Sequence, residues 1–306
     1  MTEPKTILTL LEDINSVFTN PTHKVNPDNL KKLTESLSRV VTEQLEKSGQ
    51  KKDTKLRMSN LGLPDRKLYL DIKHPVPEGQ TTAQEEMRFL YGGVIEQLLI
   101  FLIREAGHYV THEQLEVIVD GVVGHIDFAV DNVVTDSKSV SPYQFSKFKS
   151  TYNLKQNDSF GYVTQLGGYH EALKNVAGID KEKAAIIAQN KSDGQTQLLL
   201  FDEMELPNIP QRIKDVKEML NKDTLPPLCY TPTPDPKTGN SELPKGCAWC
   251  RHKFGCHPTL RAFKYAQGVK YFTNVVSTPR VEELKIEKAK EVEPKIEAIE
   301  EASTED

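Results

Sequence analysis

Residues 122–138 read VVGHIDFAVDNVVTDSK, and the way this stretch folds decides the rest of the chain. Two apolar runs, 122–130 and 133–138, are joined only by Asp131 and Asn132, a pair that favours a two-residue hairpin turn. Pairing Val130 with Val133 and counting back along both strands sets Asp127 directly opposite Asp136. Side chains opposed in this way stand roughly 4.5–5.5 Å apart, and like charges there repel. Folding alone gains nothing from such a pair, whereas a divalent cation shared by the two carboxylates accounts for it. Lys138 follows Asp136 by two residues, so strand alternation puts its ammonium on the same face. Asp127, Asp136 and Lys138 on one sheet face are what metal-assisted phosphodiester hydrolysis requires.

Elements on either side follow from periodicity. Ile7, Leu8, Leu11 and Ile14 repeat at helical spacing, and Asn26-Pro27-Asp28 opens a second helix carrying Leu30, Leu33, Leu37, Val41 and Leu45. The polar stretch 48–54 reads as a linker, and 58–80 is rich in turn signals. Residues 84–106 make the strongest helix, ended by Gly107. Strands are expected at 115–119, 184–189 and 195–201, with helices at 160–173 and 209–220. Residues 226–245 read as a loop, and the final stretch, dominated by Lys and Glu, as a frayed helix or disorder. The predicted fold class is therefore α/β (α+β), a central mixed β-sheet flanked by helices. Its expected divisions are a helical N-terminal extension (1–57), a main domain (58–275) with a Cys-rich end (229–257), and a charged tail (276–306).

A third oxygen ligand is needed if Mg²⁺ or Mn²⁺ is to be held, because Mg²⁺ prefers octahedral oxygen coordination. Glu96 supplies it best, since it interrupts an apolar helix among Ile95, Leu98 and Leu99. His125 precedes Asp127 by two residues and should face the same side, but a lone strand histidine is more often structural, so it stays outside the ligand set. Gln165 and Tyr169 stand four residues apart in a helix and so share one face.

These motifs in this order, Gly93-x-x-Glu96, Gly124-His-Ile-Asp127, Asp136-Ser-Lys138 and Gln165-x-x-x-Tyr169, resemble the PD-(D/E)XK nuclease superfamily in its RecB-like, CRISPR-associated-exonuclease-like branch. Together with Asp158-Ser-Phe-Gly-Tyr162 and the terminal cysteines, the arrangement looks most like exonucleases encoded by bacteriophages. The resemblance covers about residues 58–272. It implies a restriction-endonuclease-like core and Mg²⁺- or Mn²⁺-dependent hydrolysis of DNA. By the same resemblance Glu96, Asp127 and Asp136 hold metal, Lys138 assists the attacking water, and Gln165 with Tyr169 orients the strand. Phage replication or recombination proteins are then expected partners. A competing reading is a catalytically inactive, nuclease-like scaffold that binds DNA or a partner.

All four cysteines fall late in the chain: Cys229, then Cys247, Cys250 and Cys256 in a C-x₂-C-x₅-C pattern. Clustered thiols in an intracellular protein suggest a metal site rather than disulfides. Such spacing at the end of a nuclease domain is similar to relatives stapled by an iron–sulfur cluster. Four thiolates suit zinc equally, so both stay open. Basic residues gather around this patch with Trp249, Phe254 and Tyr265 among them. A second run, Lys147, Lys149 and Lys155 with Tyr143 and Phe145, follows the hairpin. Both patterns suit a nucleic-acid backbone.

Bulk properties narrow little further. The chain has 306 residues and a formal net charge of −5, much of it contributed by the acidic tail. No apolar run reaches the roughly 18 residues expected of a membrane span, and the start, MTEPK, lacks the apolar core of a secretory signal. A cytoplasmic protein is expected, in the host cytoplasm if phage-encoded, with no membrane partner.

Overall fold

The structure, a computed structural model, describes residues 5–48, 54–75 and 82–285. The chain divides into two compact units, Met1–Cys229 and Tyr230–Asp306.

The first unit begins with five helices: α1 (Leu10–Thr19), α2 (Pro27–Lys47), α3 (Met58–Leu61), α4 (Asp65–Lys73) and α5 (Ala83–Glu105). Asn26 caps α2 by accepting from the Asp28 N–H, and Thr82 caps α5 in a box with Glu85. Strands β1 (Val110–Thr111), β2 (Leu115–Val119), β3 (Val122–Ile126), β4 (Phe128–Val130) and β5 (Val133–Val140) follow. A crossover carrying α6 (Pro142–Phe145), α7 (Thr151–Asn157) and α8 (Tyr162–Leu173) leads to β6 (Lys183–Asn190), β7 (Thr196–Asp202) and α9 (Ile209–Leu220).

The main sheet has the order β1-β4-β5-β6-β7. Only β5 and β6 pair in parallel, which is why the long helical crossover separates them. One face, through Phe128, Val130, Ala185 and Ile187, packs on Leu99, Ile100 and Ile103 of α5 and on Ile7, Leu10 and Ile14. The other face, through Ala129 and Val134, buries Met58, Leu61, Tyr169 and Ile209 from α3, α8 and α9. Helices therefore cover both faces of a mixed sheet, as the periodicity predicts.

Three expectations need correction. The run 122–130 is two strands, not one: β3 pairs with β2 in a separate two-stranded sheet, while β4 joins the main sheet, and the chain changes partners at Asp127. Residues 58–80, read as turns, contain α3 and α4, because Met58, Leu61, Leu68 and Tyr69 are buried in the core. The divide at Cys229 also replaces the expected boundary at residue 57, since Ile7, Leu10 and Ile14 of the extension belong to the core under α5. Most of the polar linker, residues 49–53, lies outside the described residues.

The second unit holds β8 (Ser241–Glu242), α10 (Lys253–Cys256), β9 (Arg261–Tyr265), β10 (Gly268–Asn274) and β11 (Glu283–Leu284), in the sheet order β11-β9-β10-β8. Phe263 and Phe272 pack edge to face at 5.7 Å beneath it. Part of the expected tail is thus sheet, through pairing of Leu284 with Ala262. Residues 286–306 lie outside the described residues.

Candidate functional site

The two-residue turn forms as its residues require. Asp131 and Asn132 both take positive φ, 48° and 72°, and Val130 pairs with Val133. The register then runs through Ala129–Val134 and Phe128–Thr135, so the next position brings Asp127 level with Asp136. Asp127 itself sits at the exchange between sheets, where its Oδ2 accepts from the Ser137 N–H at 2.6 Å.

Asp136 is fully buried on β5. Its Oδ1 accepts from Lys138 Nζ at 2.8 Å. Its Oδ2 lies 2.6 Å from the same nitrogen as an ion pair, so one ammonium serves both oxygens of the carboxylate. Lys138 Nζ also reaches Gln165 Oε1 at 3.3 Å, and Gln165 Nε2 donates to the Tyr169 hydroxyl at 2.8 Å. One continuous chain, Asp136–Lys138–Gln165–Tyr169, thus joins β5 to α8. Glu96 approaches from α5, its Oε1 accepting from Gln114 Nε2 at 2.7 Å and Gln97 Nε2 at 3.3 Å.

The electrostatics follow from crowding acids away from water. Burial pushes the Glu96 carboxyl up to about 7, and the charge of Asp136 adds to the rise. Burial does the same to Asp127, also to about 7, with Glu96 adding. Asp136 is raised to about 7 by burial against the opposing pull of Lys138. Burial works against the Lys138 charge, yet Asp136 and Asp127 overcome it and hold the ammonium above its ordinary value. The Tyr169 hydroxyl is raised, chiefly by burial.

All six residues read from the sequence are therefore brought into one interacting group. Among the described residues, no three His, Cys, Asp or Glu side chains stand in an arrangement ready to hold a metal ion. The donor chemistry nevertheless fits a hard cation. Three carboxylates are held at raised proton affinity, the oxygen chemistry a hard cation takes, with the Lys138 ammonium against both oxygens of Asp136.

Sequence reasoning missed several supports. Gln114 holds Glu96 from a loop position with φ of 51°. Asp158 accepts from the N–H groups of Tyr162 and Val163, closing the start of α8. Tyr162 lies under Lys138, whose Nζ is 5.1 Å from the ring centre. His125, expected to lie outside the ligand set, belongs to β3 and reaches Glu116 at 3.4 Å in solvent.

The thiols sit elsewhere. Cys229 ends the first unit. Cys247 and Cys250 flank a turn in the second, with the Cys250 N–H donating to the Cys247 carbonyl at 3.0 Å, and Cys256 ends α10. Trp249, between them, is 97% exposed. Part of the expected basic patch is neutralised, because Arg261 pairs with Glu283 and Lys270 with Glu242, while His252 and His257 are buried. In the first unit Lys155 pairs with Glu205 and Lys149 is exposed.

No family model and no curated protein matches this chain. A solved structure described as "Crystal structure of SSO0001" is similar over 61% of this chain and 87% of that chain, at 15% identity and a TM-score of 0.31. At that score the likeness carries no argument. Among the described residues, no helix is long and apolar enough to cross a membrane.

Proposed function

We propose that this protein is a metal-dependent deoxyribonuclease with a restriction-endonuclease-like core, acting on DNA ends as an exonuclease in phage recombination, replication or host-DNA breakdown. The observation that carries the reading is the continuous chain Asp136–Lys138–Gln165–Tyr169, with Asp127 and Glu96 electrostatically coupled to it. In support of this reading, residues from α5, β5, α8 and the β3–β4 break share one network, and their motifs resemble those of PD-(D/E)XK nucleases.

Glu96, Asp127 and Asp136 would hold Mg²⁺ or Mn²⁺, which when bound polarises a phosphate oxygen and acidifies a water. Lys138, held beside Asp136, offsets charge developing on the phosphate and orients the attacking water. Gln165 accepts from Lys138 through Oε1 and donates to Tyr169 through Nε2, so exchanging the Tyr169 hydroxyl for a phosphate oxygen lets it fix the strand relative to the lysine. The Ser137 N–H keeps the Asp127 carboxylate turned toward Asp136. Cys247, Cys250 and Cys256 would carry an iron–sulfur cluster or zinc, which the visible spectrum of fresh protein separates, since zinc is colourless.

Linear DNA incubated with Mg²⁺ or Mn²⁺ tests the activity. Substrates labelled at either terminus give polarity, and closed circles reveal endonuclease action. Degradation by the parent that is lost in Asp136→Ala and Lys138→Ala is expected, and equal degradation by both variants removes the assignment. The Lys138 ammonium, which already neutralises Asp136, favours one second reading, a nuclease-like scaffold that binds DNA without cutting. It predicts DNA binding with no cleavage by the parent under either metal.

A further inference from the structure

Beside the carboxylates lies a feature the catalytic set does not use. Phe160 stacks on Tyr162 with ring centres 5.4 Å apart and an interplanar angle of 15°. Tyr162 is covered in turn by Lys138, its Nζ 5.1 Å from the ring centre. Phe148, buried beneath, closes on Tyr162 at 6.0 Å. A row of π-systems therefore runs outward from the lysine at the centre of the site and ends on Phe160, which is 46% exposed.

The row is held rigidly. Gly161, between the two rings, has φ of 77°, and a Cβ added there would lie 2.5 Å from the backbone of Gly62. Its neighbour Tyr162 is fixed by the Asp158 carboxylate, which receives the Tyr162 N–H at 2.9 Å. An aromatic left half-exposed on so constrained a loop costs apolar hydration that burial would relieve. Cations belong to the same neighbourhood: Lys138 lies over the Tyr162 ring, and Lys147 Nζ reaches the Asn157 carbonyl, three residues before Phe160, at 3.2 Å.

We infer that Phe160 is a stacking platform for an unpaired base of a DNA strand whose neighbouring phosphate lies at Lys138, so that the site prefers single-stranded or frayed ends. This rests on the nuclease reading for the identity of the strand. A flat ring flanked by ammonium groups matches a nucleotide, which presents a π-face joined to an anion. In a paired duplex a base shows its face only at the terminus, so the platform separates unpaired strand from duplex interior. The stack also couples recognition to chemistry, because a base pressed on Phe160 bears on Tyr162 and hence on the ring beneath Lys138.

Binding of a single-stranded oligodeoxynucleotide carrying 2-aminopurine, measured in EDTA, tests the platform apart from cleavage. The full chain should quench the probe, Phe160→Leu should lose about 5- to 150-fold in affinity, and Phe160→Tyr should bind like the parent. Affinity for a closed circular duplex, which presents no terminal base face, should change less than twofold in both variants. Phe160→Leu binding single strands as tightly as the parent overturns the inference, as does equal loss for single strand and duplex. Failure of the nuclease reading shows separately, as no cleavage of any DNA by the parent with Mg²⁺ or Mn²⁺ while the quenching persists.

Discussion

Two hairpins in the first unit obey the same local rules and end with opposite chemistry. The β2–β3 hairpin turns at Asp120-Gly121, with φ of 46° and 75°, and the β4–β5 hairpin turns at Asp131-Asn132, with 48° and 72°. Each brings ionisable groups level across its strands. In the first, His125 faces Glu116 at 3.4 Å with side chains 55% and 60% exposed, an imidazole and a carboxylate in water. Such pairs contribute about 0–1 kcal/mol. In the second, Asp127 and Asp136 share a sign and lie out of water, and burial lifts both to about 7. Turn chemistry sets the register in both; what covers the pair decides whether the register has consequences.

The largest test of that contrast is catalytic. Asp136→Ala and Lys138→Ala should each lower DNA cleavage by about 10²–10⁴-fold, the range for removing a metal ligand or a charge-stabilising group. The rate of release of labelled nucleotides measures it. An equal fall in His125→Ala would break the comparison, since nothing then separates the buried hairpin from the exposed one.

A second test is thermodynamic and carries a definite sign. In the metal-free chain the acids at 96, 127 and 136 titrate near 7, above the roughly 4 expected of an unfolded chain. Folding therefore favours their protonated forms. The stability they contribute is complete below about pH 4 and is lost as pH climbs toward 7. Asp127→Asn removes one of these charges while its amide oxygen can still accept from Ser137. It should raise the melting temperature at pH 8, by an equivalent of roughly one to a few kcal/mol, and change little at pH 4. Added Mn²⁺ should raise the parent's melting temperature more at pH 8 than at pH 5, because protons compete for the same oxygens. A melting temperature independent of pH would mean that these carboxylates are not desolvated.

How much of this was legible is itself instructive. Helix α5 and the Asp131-Asn132 turn were plain because apolar periodicity, the stop at Gly107 and a two-residue turn pair are local properties. The pairing of Asp136 with Lys138 was plain because alternation along β5 puts them on one face whatever else happens. The break at Asp127 was not. Residues 122–130 form one apolar run, and only the presence of β2 for its first half and β1 for its second divides it. Helices α3 and α4 escaped for a similar reason, since Gly62 and Pro64 read as turns while their helicity depends on burying Met58, Leu61, Leu68 and Tyr69. Gln114 and Asp158 are supports whose partners, Glu96 and the start of α8, are defined only in three dimensions.

Gly161 sharpens the point that the buried hairpin depends on packing from outside it. Gly161→Ala must strain φ at 77° and press against Gly62, whereas Gly194→Ala meets the same φ of 77° with nothing within 4 Å. The first should cost about 1–3 kcal/mol more than the second in chemical denaturation. Equal losses would show that the strand-to-helix loop is not braced on Gly62.

The smallest expected effect bears hardest on the comparison. His125→Ala deletes a charged partner from a hairpin that shares turn type and antiparallel pairing with the β4–β5 hairpin. Because both His125 and Glu116 remain hydrated, its removal should alter the unfolding free energy by less than about 0.5 kcal/mol at any pH between 5 and 8. A midpoint difference between this variant and the parent that changes with pH would mean that the exposed pair feels the carboxylates across the break at Asp127. The two hairpins would then be one electrostatic unit, and His125 would have to be counted with Glu96 among the groups that tune it.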